Sequence, residues 1–167
     1  MSNLENPSVL RVRKALVDAG LGDRVVELDK TARTAADAAK ALDCEMGQIV
    51  KSLVFAIDRR IVMALVAGDM RCQEQNLPKV FFMEGAVRRA EAGEVKGATG
   101  FSIGGVSPVG MNHKLPVAID RSLKRFDMVH AAAGHPHCVF SLSIPELKRL
   151  TGGIVSYNIS EPMPVSD

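Results

Sequence analysis

The feature that most constrains this chain is a glycine-rich stretch near its middle, which reads Gly-Phe-Ser-Ile-Gly-Gly-Val-Ser-Pro-Val-Gly from Gly100 to Gly110. Glycine adopts positive φ at little cost and lets a ligand approach the main chain, whereas proline fixes φ. A loop of this composition presents backbone N–H groups rather than side chains. It therefore predicts a site for an anion or a carbonyl oxygen, although it is neither a G-x-G-x-x-G nor a Walker loop.

A lysine in an apolar segment is the second feature. Lys51 lies within the run Ile49 to Phe55. A lone ammonium is costly to bury without an anionic or strongly polar partner. A lysine in a strand commonly extends to the sheet edge, so Lys51 alone does not define a site. Together with the glycine loop, however, it predicts a pocket.

Length and composition predict one globular domain over residues 1–167, with 47% hydrophobic and 24% charged residues. The longest apolar runs, residues 53–57 and 61–67, are too short to span a membrane, and the polar N-terminus does not resemble a signal peptide. We therefore expect a cytoplasmic protein without membrane contact. The net charge of +2 does not by itself predict nucleic-acid binding, and one Tyr and no Trp leave little for base stacking.

Neither a metal nor a cofactor is expected. The three cysteines include no C-x-x-C pair, which argues against a disulfide framework and a thiolate zinc site. His135 and His137 offer two imidazoles, but catalytic zinc needs three protein ligands and no third is apparent. His130 lies in a strand-like segment, and we expect it in the core.

Hydrophobic periodicity predicts an α+β fold with a mixed sheet. Helical patterns cover residues 8–19, 35–42, 73–82, 91–96 and 143–150. Strand patterns cover residues 25–28, 49–57, 61–67, 86–88, 115–120, 128–132, 138–142 and 154–157. The strands 49–57 and 61–67 form a predicted hairpin whose three-residue connection lacks the expected glycine. The tail, residues 161–167, is expected to fray.

Thr34 has two interpretations. The sequence Thr-Ala-Ala-Asp from Thr34 to Asp37 is typical of a capping box, in which the threonine hydroxyl caps the second helix. The alternative is that this hydroxyl faces the pocket. Sequence alone leaves both open.

The motif around Lys51, with residues 98–110 following it, resembles the YbaK/ProX family of free-standing relatives of the prolyl-tRNA synthetase editing domain. The resemblance covers roughly residues 8–156. It implies a mixed, partly barrel-like sheet flanked by helices. It also implies a deacylase that hydrolyses mischarged tRNA, most directly tRNA(Pro) carrying Cys, Ala, Ser, Thr or 2-aminobutyrate, with prolyl-tRNA synthetase as a further partner.

By the same resemblance, Lys51 is the catalytic residue that anchors the tRNA 3′ end. The loop holds the aminoacyl group through backbone contacts, and Thr34 lies in the pocket wall. The loop residues implied in substrate binding are Gly104, Gly105, Val106, Ser107, Pro108 and Gly110.

One position departs from the family pattern. Val139 stands near the place where some members carry an Asp, and His135 or His137 is the candidate replacement. Two alternatives to the deacylase stay open. The first, which this departure supports, is a non-catalytic paralogue that binds an aminoacyl-adenosine-like ligand or a synthetase. The second is a hydrolase of a small ester or amide unrelated to tRNA, since no RNA-binding appendage is apparent in the sequence.

Overall fold

The computed structural model of the protein describes residues 2–29 and 32–164. Within them, five α-helices follow in chain order: α1 (Pro7–Asp18), α2 (Ala35–Leu42), α3 (Leu77–Val80), α4 (Ala92–Thr99) and α5 (Ile144–Thr151). The described strands are β1 (Val25–Glu27), β2 (Val50–Ile57), β3 (Arg60–Ala67), β4 (Met70–Cys72), β5 (Val87–Arg89), β6 (Val117–Asp120), β7 (Val129–His135), β8 (Cys138–Leu142), β9 (Ile154–Ser156) and β10 (Ser160–Pro162). No helix in these ranges is long and apolar enough to cross a membrane.

The strands form three sheets, the largest of which has the order β5-β2-β3-β6-β9. In this sheet β2 pairs antiparallel with β3 and β5, whereas β6 runs parallel to β3 and β9. The others are an antiparallel β1-β8-β7 sheet and a β10-β4 ribbon. The predicted α+β class with a mixed sheet is confirmed, and the five-stranded sheet stays open rather than closing into a barrel.

The β2–β3 hairpin shows how this chain makes a tight turn without glycine. The two strands pair from Val50 opposite Ala67 to Ile57 opposite Arg60, so Asp58 and Arg59 alone connect them. Asp58 has φ of 54°, and Asp is among the few residues that tolerate this left-handed region. Its carboxylate also accepts a hydrogen bond of 3.1 Å from the Ala86 N–H. The predicted three-residue connection was therefore wrong.

Two predictions near the second half of the chain were also wrong. Residues 73–82 do not form one helix, because a 3-10 turn over Glu74–Asn76 precedes the single turn of α3. The tail does not fray from residue 161, since β10 pairs with β4, a strand that the periodicity missed. Both strands are three residues long, too short to show a period. Residues 165–167 of the predicted tail lie outside the described part of the chain.

The five-stranded sheet separates two apolar clusters because side chains alternate along β2 and β3. One cluster takes Val50 and Val54 from β2 and packs against α1, β7 and β8. The other takes Phe55 and Ile57, with Leu77 of α3. The sheet is therefore covered on both faces.

The glycine-rich segment lies between α4 and β6 and packs on the β7–β8 hairpin. A Cβ atom added to Gly105 would lie 2.8 Å from the His135 backbone nitrogen, so only glycine fits this approach. Arg11 of α1 holds the start of the segment, with its guanidinium 4.4 Å from the Phe101 ring centroid. The same side chain donates hydrogen bonds to the Thr99 carbonyl and the Asn112 side chain.

Asp120 joins three strands at the centre of the fold. Its side chain is almost fully buried, and its carboxylate accepts hydrogen bonds from the Ala67 N–H of β3 and the Ser160 hydroxyl of β10. The N–H and hydroxyl of Ser122 donate to the same carboxylate. These donors lose their acceptor when the carboxylate is removed.

We expect Asp120→Ala to lower the free energy of unfolding by about 3 kcal/mol, because it leaves buried donors without an acceptor. Urea denaturation measures this change. Asp127→Ala, at an exposed position, is the control and should change it by less than about 0.5 kcal/mol. Equal effects of the two substitutions would contradict the structural role of Asp120.

We expect Gly105→Ala to destabilise the fold by about 1–3 kcal/mol, because the added methyl overlaps the backbone of β7. Gly97→Ala is the matched control, since Gly97 lies in α4 and a methyl group added there would meet no heavy atom within 4 Å. Gly97→Ala should raise the free energy of unfolding by about 0.5–1 kcal/mol, because alanine favours the helix more than glycine does. Thermal unfolding of both variants measures these changes in stability. An unchanged stability of Gly105→Ala would show that the loop does not need the close approach to β7.

Candidate active site

A cavity of about 330 Å³ lies beside the first half of β2. It exists because β5 pairs with β2 only over Phe55–Ile57. The Ala90 N–H then donates to the Val54 carbonyl, where the chain turns away from the strand. Residues 50–53 are therefore bordered by β3 on one side and by the cavity on the other.

Three other parts of the chain complete the walls. They are the start of α2, the glycine loop and the β7–β8 hairpin. Their residues at the cavity include Thr34, Ala35, Ala38, Ile103, Gly104, Val106, His130, Ala132, Pro136 and Val139. Segments from distant regions of the sequence thus meet at one strand edge.

Lys51 is the partly buried cation of this cavity. Its ammonium donates a hydrogen bond to the Met70 carbonyl of β4. Burial lowers the pKa of Lys51, and the nearby Cys72, Asp69 and Asp120 oppose that shift. In residues 2–29 and 32–164 the Lys51 ammonium forms no ion pair within 4.0 Å. Its charge is therefore available to a ligand.

The charged residues of the wall have one sign. They are Arg33, Lys51 and Arg89, and the described wall contains neither Asp nor Glu. The adjacent residue, Arg88, donates two hydrogen bonds of 2.7 and 2.9 Å to the Glu94 carboxylate, which neutralises its charge. Arg89 instead lies with its guanidinium 5.4 Å from the Phe55 ring centroid. The cavity is therefore suited to an anionic ligand.

The glycine loop contributes main-chain donors. The Gly105 N–H is already used, since it donates to the Ser102 carbonyl at 3.0 Å. Gly104 and Val106 reach the cavity wall, and within the described residues their N–H groups donate no hydrogen bond. Gly104 has φ of 97°, a conformation that favours glycine. These two N–H groups are the loop's candidate ligand donors.

Thr34 fulfils its predicted capping role and also lies at the cavity. Its hydroxyl accepts a hydrogen bond of 3.1 Å from the Asp37 N–H. The Asp37 carboxylate accepts from the N–H groups of Arg33 and Thr34, and these bonds lower the pKa of Asp37. The capping box thus fixes the start of α2 against the cavity.

The other predicted site residues lie behind or beside the walls. Ser107 is fully buried, and its hydroxyl accepts from the Val109 N–H. Gly105, Pro108 and Gly110 also lie in the loop outside the cavity lining. His135 and His137 flank Pro136 at the hairpin turn, and only the proline lines the cavity. The substrate-binding roles of these six residues remain predictions.

His130 was expected in the core, but it is partly buried and lines the cavity. A parallel bridge pairs it with Ile49 at the start of β2. Burial lowers its pKa, which favours the neutral imidazole. No sequence signal marks this position, because the bridge joins residues far apart in the chain.

A protein nucleophile is not evident near Lys51 among the described residues. Burial raises the pKa of the Cys72 thiol to about 11, so it stays protonated at neutral pH and is a poor nucleophile. Ser52 lines the cavity, but its hydroxyl oxygen is buried and has no hydrogen-bond partner in the described part of the chain. Neither side chain is therefore a candidate nucleophile of this cavity.

Comparison with known proteins adds a family to this geometry. Residues 29–150 match the family described as aminoacyl-tRNA editing domain. The protein YwhH of Bacillus subtilis (strain 168), which is named as uncharacterized, is 30% identical over 76% of this chain and 80% of its own length. The proline–tRNA ligase of Kosmotoga olearia is 35% identical over 61% of this chain, but the match spans only 18% of that ligase.

A solved structure shows the same fold over nearly the whole chain. It is described as a proposed trans-editing enzyme for prolyl-tRNA synthetase, has 41% sequence identity and covers 93% of this chain and 98% of its own, with a TM-score of 0.87. The family match covers more than half of the sequence. This chain therefore belongs to the aminoacyl-tRNA editing domain family.

Proposed function

We propose that this protein hydrolyses the ester bond of mischarged tRNA, with tRNA(Pro) carrying a small non-cognate amino acid as its substrate. The observation that carries the proposal is the cavity itself. It combines main-chain donors of the glycine loop with three cations and, among the described residues of its wall, no carboxylate. The family and the likeness to a proposed trans-editing enzyme support the same reaction.

The chemistry requires little from the protein, because an aminoacyl ester is already labile. Water adds to the ester carbonyl, the carbon–oxygen bond to the ribose breaks, and the ribose oxygen takes up a proton. The Gly104 and Val106 N–H groups are assigned to stabilise the developing oxyanion, a contribution typically worth about a hundred- to a thousandfold in rate per donor. A neighbouring ribose hydroxyl can assist the attacking water. The remaining rate acceleration comes from positioning the ester and the attacking water next to each other.

Lys51, Arg33 and Arg89 suit the other half of the substrate. The 3′ end of a tRNA brings phosphodiester groups, and guanidinium and ammonium groups bind them through charge-assisted hydrogen bonds. We assign Lys51 to the terminal nucleotide beside the ester and the two arginines to the phosphates outside it. The reaction would take place in the cytoplasm, where tRNA is charged.

The size of the cavity favours a short aminoacyl side chain. A volume of about 330 Å³ lies near the lower end of small-molecule pockets. Its apolar lining includes Val50, Val54, Val95 and Val106. Sterics exclude large side chains, but one methylene changes binding by only about 1–3 kcal/mol. Cys, Ala, Ser, Thr and 2-aminobutyrate therefore remain overlapping candidates.

We expect Lys51→Ala to lower the deacylation rate at least about a hundredfold, because it removes the cation beside the ester. The measurement uses purified protein and tRNA(Pro) charged in turn with Ala, Cys, Ser, Thr and Pro. Lys148→Ala, at an exposed position of α5, is the charge-matched control and should retain the wild-type rate. Equal rates for Lys51→Ala and wild type would overturn the role of Lys51.

We expect Arg89→Ala to raise KM for charged tRNA about tenfold with little change in kcat, because a phosphate contact contributes to binding rather than to the reacting bond. Steady-state kinetics separates the two constants. Arg88→Ala is the control, since that guanidinium is paired with Glu94. A fall in kcat with unchanged KM would contradict the assignment of Arg89.

A second candidate function is a binding protein without turnover. The observation that favours it is Val139, which lines the cavity and, by the family resemblance, stands near a position where some members carry an Asp. A binding protein would leave every ester in the panel intact. It would still bind an aminoacyl-adenosine in which an amide replaces the ester.

A further inference from the structure

Two exposed aromatic rings lie at one groove on the molecule. Phe82 is 93% exposed and Tyr157 is 70% exposed, the highest values among the large hydrophobic side chains in the described ranges. Both line a groove of about 550 Å³ whose polar side chains include Gln73, Asn76 and Lys79. A chain with only six Phe and one Tyr thus places two of these rings together in solvent.

The backbone conformation of Phe82, whose ring is exposed, costs conformational free energy. Phe82 follows α3 and has φ of 54°, a left-handed conformation that costs an L-residue about 1–2 kcal/mol. Glycine is the usual residue at such a helix end. The Phe82 N–H donates to the Lys79 carbonyl at 3.3 Å, and the Met83 N–H donates to the Pro78 carbonyl at 2.8 Å. Packing does not account for the phenylalanine, because its ring contributes almost no burial.

A second groove, of about 460 Å³, adjoins the first and shares Tyr157 with it. It is basic, with Arg121, Lys124 and Arg125 in its walls. The Arg121 guanidinium lies 4.5 Å from the Tyr157 ring centroid. The acidic side chain in these walls is Asp120, which is buried and engaged by the donors described above.

Most of the cations along the two grooves are unpaired. Arg125 forms an ion pair with Asp69. Lys79, Arg121 and Lys124 form none with any residue of the described ranges. The nearby Glu161 is neutralised by Arg71. The surface therefore presents positive charge beside exposed rings, and neither described groove wall contains an exposed carboxylate.

The basic groove is linked to the candidate active site through Met70. Met70 lines this groove, and its carbonyl accepts the hydrogen bond of the Lys51 ammonium. One hydrogen bond thus connects Lys51 with Met70 in the wall of the basic groove, and that groove shares Tyr157 with the groove that contains Phe82. A strand of polyanion that extends from the active site towards Met70 would meet these grooves next.

We propose that the two grooves form a binding surface for single-stranded RNA. This proposal rests on the proposed function, since the RNA is then the unpaired segment that precedes the aminoacylated nucleotide. Bases stack on Tyr157 and Phe82, as they do on exposed aromatic rings in single-strand-binding proteins. Arg121, Lys124 and Lys79 contact the phosphates. Unpaired cations without exposed carboxylates favour a polyanion over a second copy of this chain, whose net charge is also positive.

The test measures the affinity of labelled uncharged tRNA(Pro) and of a short single-stranded RNA by fluorescence anisotropy. We expect Tyr157→Ala and Phe82→Ala each to weaken binding about tenfold. Phe82→Gly also removes the ring but relieves the backbone strain, so its loss of affinity cannot come from unfolding. Lys124→Ala should reduce the slope of log affinity against log salt by about 0.7. Val17→Ala, at an exposed apolar position of α1, and Lys148→Ala should leave binding unchanged.

Hydrolysis of a minimal substrate separates this proposal from the proposed function. Phe82→Gly and Tyr157→Ala should hydrolyse an aminoacyl-adenosine at the wild-type rate but show a raised KM for charged tRNA. Loss of RNA affinity in a protein that deacylates nothing would support the RNA surface and overturn the deacylase. Unchanged RNA affinity in these variants would overturn the RNA surface. So would self-association in sedimentation that disappears in Phe82→Gly, because the grooves would then join two copies of the chain.

Discussion

The site depends on the unequal pairing of β2. This strand pairs with β3 along its whole length, but with β5 only over its last three residues. The fully paired half is held on both edges, and side chains along the strand fill both apolar clusters. The other half leaves one edge to the cavity, where the chain has room for a ligand instead of a strand. A fully paired half and a half with one edge open to the cavity are thus parts of the same strand.

The remaining walls are fixed by contacts within the protein, and those of Arg11 and Gly105 join segments that are far apart in the sequence. A capping box sets the start of α2, and Arg11 holds the beginning of the glycine loop. Gly105 lets that loop lie against the backbone of β7. Because these contacts are made within the protein itself, they fix the loop that carries Gly104 and Val106 without a ligand. In the proposed reaction, preorganised N–H donors of this kind stabilise the developing charge.

Ion pairs are distributed unevenly over the described part of the chain. Some arginines pair with carboxylates, as Arg24 does with Glu146 and Arg88 with Glu94, whereas others away from the cavity, such as Arg59, form no ion pair in the described ranges. At the cavity and along the two grooves, most of the described cations lack such a partner. The net charge of +2 does not reveal this arrangement, because it is a total in which positive and negative side chains cancel wherever they lie. The pairing of individual cations is therefore more informative about a candidate anion site than total charge.

The sequence by itself determined the α+β class, most helices and strands, and the conjunction of Lys51 with the glycine loop. Periodicity, capping residues and glycine spacing involve residues close together in the chain, so they can be recognised in the sequence alone. Only the tertiary structure decided that His130, Arg33 and Arg89 reach the same cavity, and that Tyr157 and Phe82 share a groove. It also decided the short strands β4 and β10, which carry no period of their own. These features come from contacts between segments that are far apart in the sequence. Such contacts produce no recognisable pattern among residues that are adjacent in the chain.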